Sequence, residues 1–184
     1  MIGDLPTSLT VAGKEYAIRY GFKDCLNIMA AFEDEELTNE EKLYVLLDVL
    51  YKEPDFTDEN VEEAIEQAIK FLLAGRPPQQ DENAKPLSKL EKDEQLIFAA
   101  VNEVAHIDIR MNPDMHYWTY LSFIQAISSK SLFSSVVHIR DKLNKGQKLD
   151  KDEKRFYKEN KEMIDLKEPT QEDKEFMDFI NSIT

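Results

Sequence analysis

The chain has 184 residues, enough for one domain or one domain with a small appendage, and long enough to bury about 70% of its unfolded surface without a disulfide or metal. Its 23 Lys and Arg stand against 37 Asp and Glu, a formal charge of -14 that argues against binding a nucleic-acid backbone and favours a protein partner with basic patches. The single Cys25 excludes an intramolecular disulfide framework, and the opening MIGDLPTSL lacks the basic and apolar regions of a signal peptide, so the expected setting is a cytoplasm.

The acidity is uneven. Up to Gly75 there are 6 basic and 17 acidic residues, from Arg76 to Lys130 6 and 8, and from Ser131 onward 11 and 12. In chain order, Leu9 to Val11 and Tyr16 to Ile18 are short alternating runs around Gly13, which predicts a β-hairpin with Leu9, Val11, Tyr16 and Ile18 on one face. A lone hairpin is marginal in water, so that face must pack on helices. Phe22 to Phe32 reads as a first helix with Phe22, Leu26 and Met29 in its stripe. Thr38 and Glu41 have the spacing of a capping box, and Leu43, Leu46, Leu47 and Leu50 follow at helical intervals until Pro54. A third helix starts near Thr57 or Asp58 and carries Val61, Ile65, Ala68, Ile69 and Leu72, with Glu59, Glu62, Glu63 and Glu66 opposite and Gly75 as its C-cap.

Arg76 to Leu87 is rich in Pro, Gln, Asn and charge and offers little to bury, so it is expected as a surface linker. It separates residues 1–75, the hairpin and acidic helices, from residues 88–184, an aromatic helical part, within one compact whole. Ser88 and Glu91 suggest a second capping box, opening a helix through Leu96, Ile97, Ala100, Val101, Val104 and Ile107.

Met115 to Ser128, MHYWTYLSFIQAIS, is apolar nearly all round and too short to span a membrane, so it is expected as a core helix started by Pro113 and Asp114. Tyr117, Trp118, Tyr120, Leu121, Phe123, Ile124 and, on the next helix, Phe133 are its expected core residues. Leu132 to Leu143 forms that next helix, and Gly146 ends it. Lys148 to Glu162 is charge-dense, with Phe156, Tyr157 and Met163 as sparse anchors. Pro169 and Thr170 start a last helix in which Phe176, Phe179, Ile180 and Ile183 form a clean stripe. That stripe either pads the parent core or fits a partner's groove, and these four residues are the candidate partner-binding set. The predicted architecture is mainly α, a helical bundle of seven to eight helices with a small N-terminal hairpin.

No catalytic pattern emerges. His106, His116 and His138 lie outside HExxH or CxxC contexts, Asp34, Glu35 and Glu36 sit in a solvated run, Cys25 lacks a signature, and the five glycines form no phosphate loop. Catalytic residues, cofactors and metals are accordingly expected to be none. Two rival readings stay open: an acidic mimic of nucleic acid that binds a host factor, and a metal-dependent enzyme using His106, His116 and Asp114.

Two segments carry a family resemblance. KEYAIRYGFKDCLNIMAAFEDEELTNEEKLYVLLDVLY through AIKFLLAG, with Phe22, Lys23, Asp24, then Glu40, Glu41, Lys42, then Ala74 and Gly75, resembles the opening of a small protein family named after a gene product fifteen of tailed bacteriophages. MHYWTYLSFIQAISSKSLFSSVVHIR is similar to that family's second conserved pattern through His116, Trp118, Tyr120, Phe133, Ile139 and Arg140, departing from it at Tyr117, Thr119 and Ala126. The resemblance implies a tail-assembly chaperone that binds the tape-measure protein and keeps it soluble in the host cytoplasm during phage assembly. It brings no catalytic residues, and the expected form is a monomer or small soluble oligomer.

Overall fold

The computed structural model describes residues 3–76, 85–166 and Glu175. The described residues form eight α-helices, one 3-10 turn and one antiparallel hairpin, so the protein is mainly helical as its periodicities predict. By internal contacts they fall into two compact units, residues 3–76 with 113–120, and residues 85–112 with 121–166.

In the first unit, β1 (Ser8–Val11) pairs with β2 (Lys14–Ala17) in the register Leu9 to Tyr16, Thr10 to Glu15 and Val11 to Lys14. The two-residue turn places Ala12 at φ 49° and Gly13 at φ 78°, the left-handed pair that a tight hairpin demands. Glu63, from the third helix, accepts the Ala12 amide at 3.0 Å and so anchors the turn. Val11, Tyr16 and Ile18 are buried, and Leu9 is half-buried. Tyr16, Tyr51 and Phe56 form a three-ring cluster with centroids 4.8 to 6.0 Å apart, and the Tyr51 hydroxyl donates to Ala64 O at 2.8 Å.

The chain after β2 stays extended and is paired on both sides. Ile18 bridges Tyr51 and Gly21 bridges His116, with Arg19 N donating to Leu50 O at 2.7 Å and Tyr117 N to Tyr20 O at 2.8 Å. This is why residues 113–120 belong with the N-terminal elements although the 76–87 stretch precedes them in sequence. Residues 77–84 of that stretch lie outside the described residues.

α1 (Phe22–Glu33) buries Phe22, Cys25 and Ile28. The expected stripe of Phe22, Leu26 and Met29 is turned by about one residue, because Cys25 packs as a small apolar side chain and Leu26 and Met29 lie at the margin of the face. α2 (Asn39–Leu50) opens with the predicted capping box: Thr38 Oγ accepts from Glu41 N, and Glu41 Oε2 accepts from Thr38 N at 2.8 Å. Its core face is Leu46, Leu50 and Lys42, the last 1% exposed. Arg19 donates to the carbonyls of Asp48, Val49 and Tyr51, neutralising orphan acceptors at the C-terminal end of α2. α3 (Val61–Leu73) buries Ala64, Ala68, Ile69, Phe71 and Leu72. It starts at Val61 rather than near Thr57, and Ala74 and Gly75, both left-handed, end it.

In the second unit, α4 (Leu90–Ala105) is not opened by a Ser88–Glu91 box. Ser88 Oγ instead donates to Asp93 Oδ2 at 2.8 Å, and Lys89 N donates to the same oxygen at 3.1 Å. A 3-10 turn, Ile109–Met111, follows. α5 (Tyr117–Gln125) begins in the first unit and ends in the second, and it is shorter than the Met115 to Ser128 span. Ser131 caps α6 (Leu132–Asn144) by accepting the Ser134 amide, Asp150 and Glu153 form a capping box on α7 (Lys151–Glu159), and α8 (Lys161–Ile164) is one turn. Val136, Ile139 and Ile164 make a small core padded by Leu96, Leu149, Phe156, Tyr157 and Met163.

Candidate partner-binding surface

Of the residues that carry the family resemblance, Phe22, Lys42, His116, Tyr120, Ile139 and Arg140 turn inward, whereas Lys23, Glu40, Glu41 and Gly75 are exposed. His116 is 6% exposed; its Nε2 donates to Pro6 O at 2.9 Å, and its Nδ1 accepts the Trp118 amide at 3.0 Å. A carbonyl only accepts and an amide only donates, so these two bonds set the tautomer with the proton on Nε2. Both ring nitrogens are thereby engaged, one capping α5 and one holding the N-terminal segment. The Trp118 indole donates to Phe71 O at 2.9 Å and stacks on the Phe71 ring at 5.9 Å, tying α5 to α3. Phe22 stacks on Tyr120 at 5.4 Å.

Arg140 is the corresponding brace in the second unit. It is 3% exposed, Asp93 is wholly buried, and the two meet through a bidentate fork with one limb at 2.9 Å. The guanidinium also donates to the carbonyls of Ile164, Met163 and Leu87. Burial pushes the Asp93 carboxyl upward, and the Arg140, Ser88 and Lys89 donors more than offset it, leaving its pKa below the ordinary value.

The core residues expected on and beside α5 are distributed unevenly. Tyr117, Tyr120 and Leu121 are buried, whereas Trp118, Phe123, Ile124 and Phe133 are half-buried. Burial raises the Tyr117 hydroxyl to about 12. Phe176, Phe179, Ile180 and Ile183 lie outside the described residues. Among the described residues no group of three or more His, Cys, Asp or Glu side chains is placed to hold a metal ion. His106 is the left-handed C-cap of α4, and Asp114 is exposed.

The exposed apolar side chains were missed by periodicity. Tyr44 is 70% exposed, Met111 81% and Ile107 50%. Ile107 fits the α4 stripe by spacing, but α4 stops at Ala105 and His106 at φ 56° turns the chain away. The loop beyond is rigidly held. Asn102 accepts the Ile109 amide and donates to Asp108, Asp108 pairs with Arg110 at 2.9 Å, and Ile109 is fully buried. Ile107 and Met111 are thus presented to solvent on either side of a buried anchor. The Arg110 pair holds the Asp108 carboxyl down at about 2, burial opposing it.

No helix among the described residues is long and apolar enough to cross a membrane. No curated protein and no solved structure matches the chain. Residues 1–166 match the family described as Bacteriophage Gp15 protein, a span that covers both motif segments. With that match spanning nearly the whole chain, the protein belongs to the bacteriophage Gp15 family.

Proposed function

We propose that this protein is a tail-assembly chaperone that binds the tape-measure protein of its phage and keeps it soluble in the host cytoplasm while the tail is built. The observation that carries the reading is the braced loop of residues 106–112, which holds Ile107 and Met111 out in water at 50% and 81% exposure. Isolated exposed apolar residues are ordinary, but here two flank the buried Ile109 in a loop braced by hydrogen bonds. A long tape-measure chain with apolar stretches aggregates if left bare. An acidic protein that covers such stretches lends the complex its charge and disperses it. The C-terminal stripe of Phe176, Phe179, Ile180 and Ile183 is a second contact in this reading, and the free protein is a monomer or small oligomer.

Co-expression with the tape-measure protein tests the proposal. Rescue of its solubility, with co-purification lost on exchanging Ile107 and Met111 for Ser, is the expected result. Removing residues 170–184 is the companion test for the terminal stripe. A tape measure that stays insoluble and unassociated beside the wild-type chain refutes the reading.

A further inference from the structure

α2 presents a face that its own fold leaves unused. Glu40, Glu41, Tyr44 and Asp48 are its strongly exposed positions, and Tyr44 is 70% exposed at their centre. Lys42, the helix's sole basic residue, is turned into the core at 1% exposure, so the exposed side chains of α2 itself include three carboxylates and no cation, and Arg19 reaches only its C-terminal carbonyls. Among the described residues the side chains of Glu40, Tyr44 and Asp48 have no hydrogen bond, ion pair or ring contact. α3 differs, since Glu63 anchors the hairpin turn and Glu66 pairs with Lys70. Glu40 suits the positive N-terminal end of α2, but Asp48 lies in its last turn, where the helix dipole disfavours an anion. That placement does nothing for the free helix.

We propose that this face of α2, with Tyr44 between Glu40 and Asp48, docks a helical protein segment bearing Lys or Arg on either side of an aliphatic residue. Charge complementarity selects a basic partner. Eight helical residues place the two flanking carboxylates about 12 Å apart, a distance that cations two turns apart on a second helix match. Tyr44 supplies a ring for aliphatic packing or for a cation over its face. α2 satisfies its backbone internally and offers no sheet edge, so an extended strand has nothing to pair with. The surface rests on the partner-binding reading above, yet a peptide tests it without the tape-measure protein.

The probe is a fluorescein-labelled helical peptide with Lys residues two turns apart and Leu between them, followed by fluorescence anisotropy at rising salt. Wild type should bind it with affinity that falls as salt is added, and not bind the peptide with Glu in place of Lys. Glu40→Gln with Asp48→Asn should weaken binding about tenfold, and Tyr44→Ser should do so by a similar factor. Glu59→Gln with Glu62→Gln, an equal charge change at exposed positions just before and within α3, should shift it no more than about twofold. Glu41 is left intact because it caps α2, and circular dichroism checks that each variant is folded. Absent binding, equal affinity across all variants, or an equal loss in the α3 control overturns the proposal. Peptide binding that survives while the tape measure fails to associate removes the chaperone reading and leaves this surface standing.

Discussion

Replacing Arg140 by Met tests whether one side chain organises the second unit. The change keeps the aliphatic stem but leaves Asp93 buried with the Ser88 hydroxyl and Lys89 amide as donors and no cation from Arg140. It also strips a donor from the carbonyls of Leu87, Met163 and Ile164. Breaking a buried pair by removing one partner costs about 3 to 5 kcal/mol. With a urea slope of about 2 kcal/mol/M, the midpoint should fall by about 1.5 to 2.5 M. The sign with pH follows from Asp93. In the wild type its folded pKa lies below the unfolded value of about 3.9, so its stabilisation is complete above that pH and is lost as pH falls through the folded pKa. Without Arg140, burial, the largest influence on Asp93, is opposed by the Ser88 and Lys89 hydrogen bonds but no longer by a cation and favours the protonated acid, so the variant's deficit should be largest near neutrality and shrink below about pH 4. Urea unfolding followed by far-ultraviolet circular dichroism from pH 3 to 7 measures this, and hydrogen exchange should show α8 amides losing protection early. A midpoint shift under about 0.5 M at pH 7 with an unchanged slope refutes the reasoning.

Thr38→Ala removes the α2 cap and should cost about 1 kcal/mol in the same urea assay. Ala74→Gly relieves a left-handed residue at φ 50° and should raise stability by up to about 1 kcal/mol, read as a higher midpoint. Glu153 is held down at about 2 by Lys142, the Asp150 amide and His138, so its contribution to joining α6 and α7 is full above the unfolded value and lost as pH falls toward 2. Carboxyl chemical shifts should titrate there, and Lys142→Met should move the midpoint up. Cys25 is wholly buried, and burial, followed by the Asp24 charge, pushes its thiol up. A disulfide reagent should therefore leave the native protein unmodified and label it stoichiometrically in urea.

Local rules made most helices legible. Thr38 and Glu41 announce the start of α2, and Gly146 the end of α6, because each signal acts within one turn of the chain. Long-range partners defeated the same logic elsewhere. Ser88 reads as a cap until Asp93 is drawn into the core by Arg140, forty-seven residues away, and takes the hydroxyl itself. Lys42 reads as a solvated charge, yet the leucines around it bring it inward with them. Tyr44 could have been singled out, since it falls off the Leu43, Leu46, Leu47 and Leu50 stripe. Ile107 could not, because spacing alone does not show that His106 leaves the helix.

The division between inward and outward residues bears on how the proposed partner would be recognised. His116, Trp118, Phe22 and Arg140, which carry the family resemblance, spend their hydrogen bonds and rings on joining Pro6, Phe71, Tyr120, Asp93 and the α8 carbonyls. None of them keeps its interacting atoms for a ligand. These four therefore speak for the scaffold, and in the proposed function selectivity comes from exposed positions, of which Tyr44, Ile107 and Met111 are the most exposed apolar examples. Substituting one of these four residues should accordingly lower stability first and binding only as a consequence. Substituting Tyr44 or Met111 should change binding while the urea midpoint stays within about 0.25 M of wild type, as surface changes usually do.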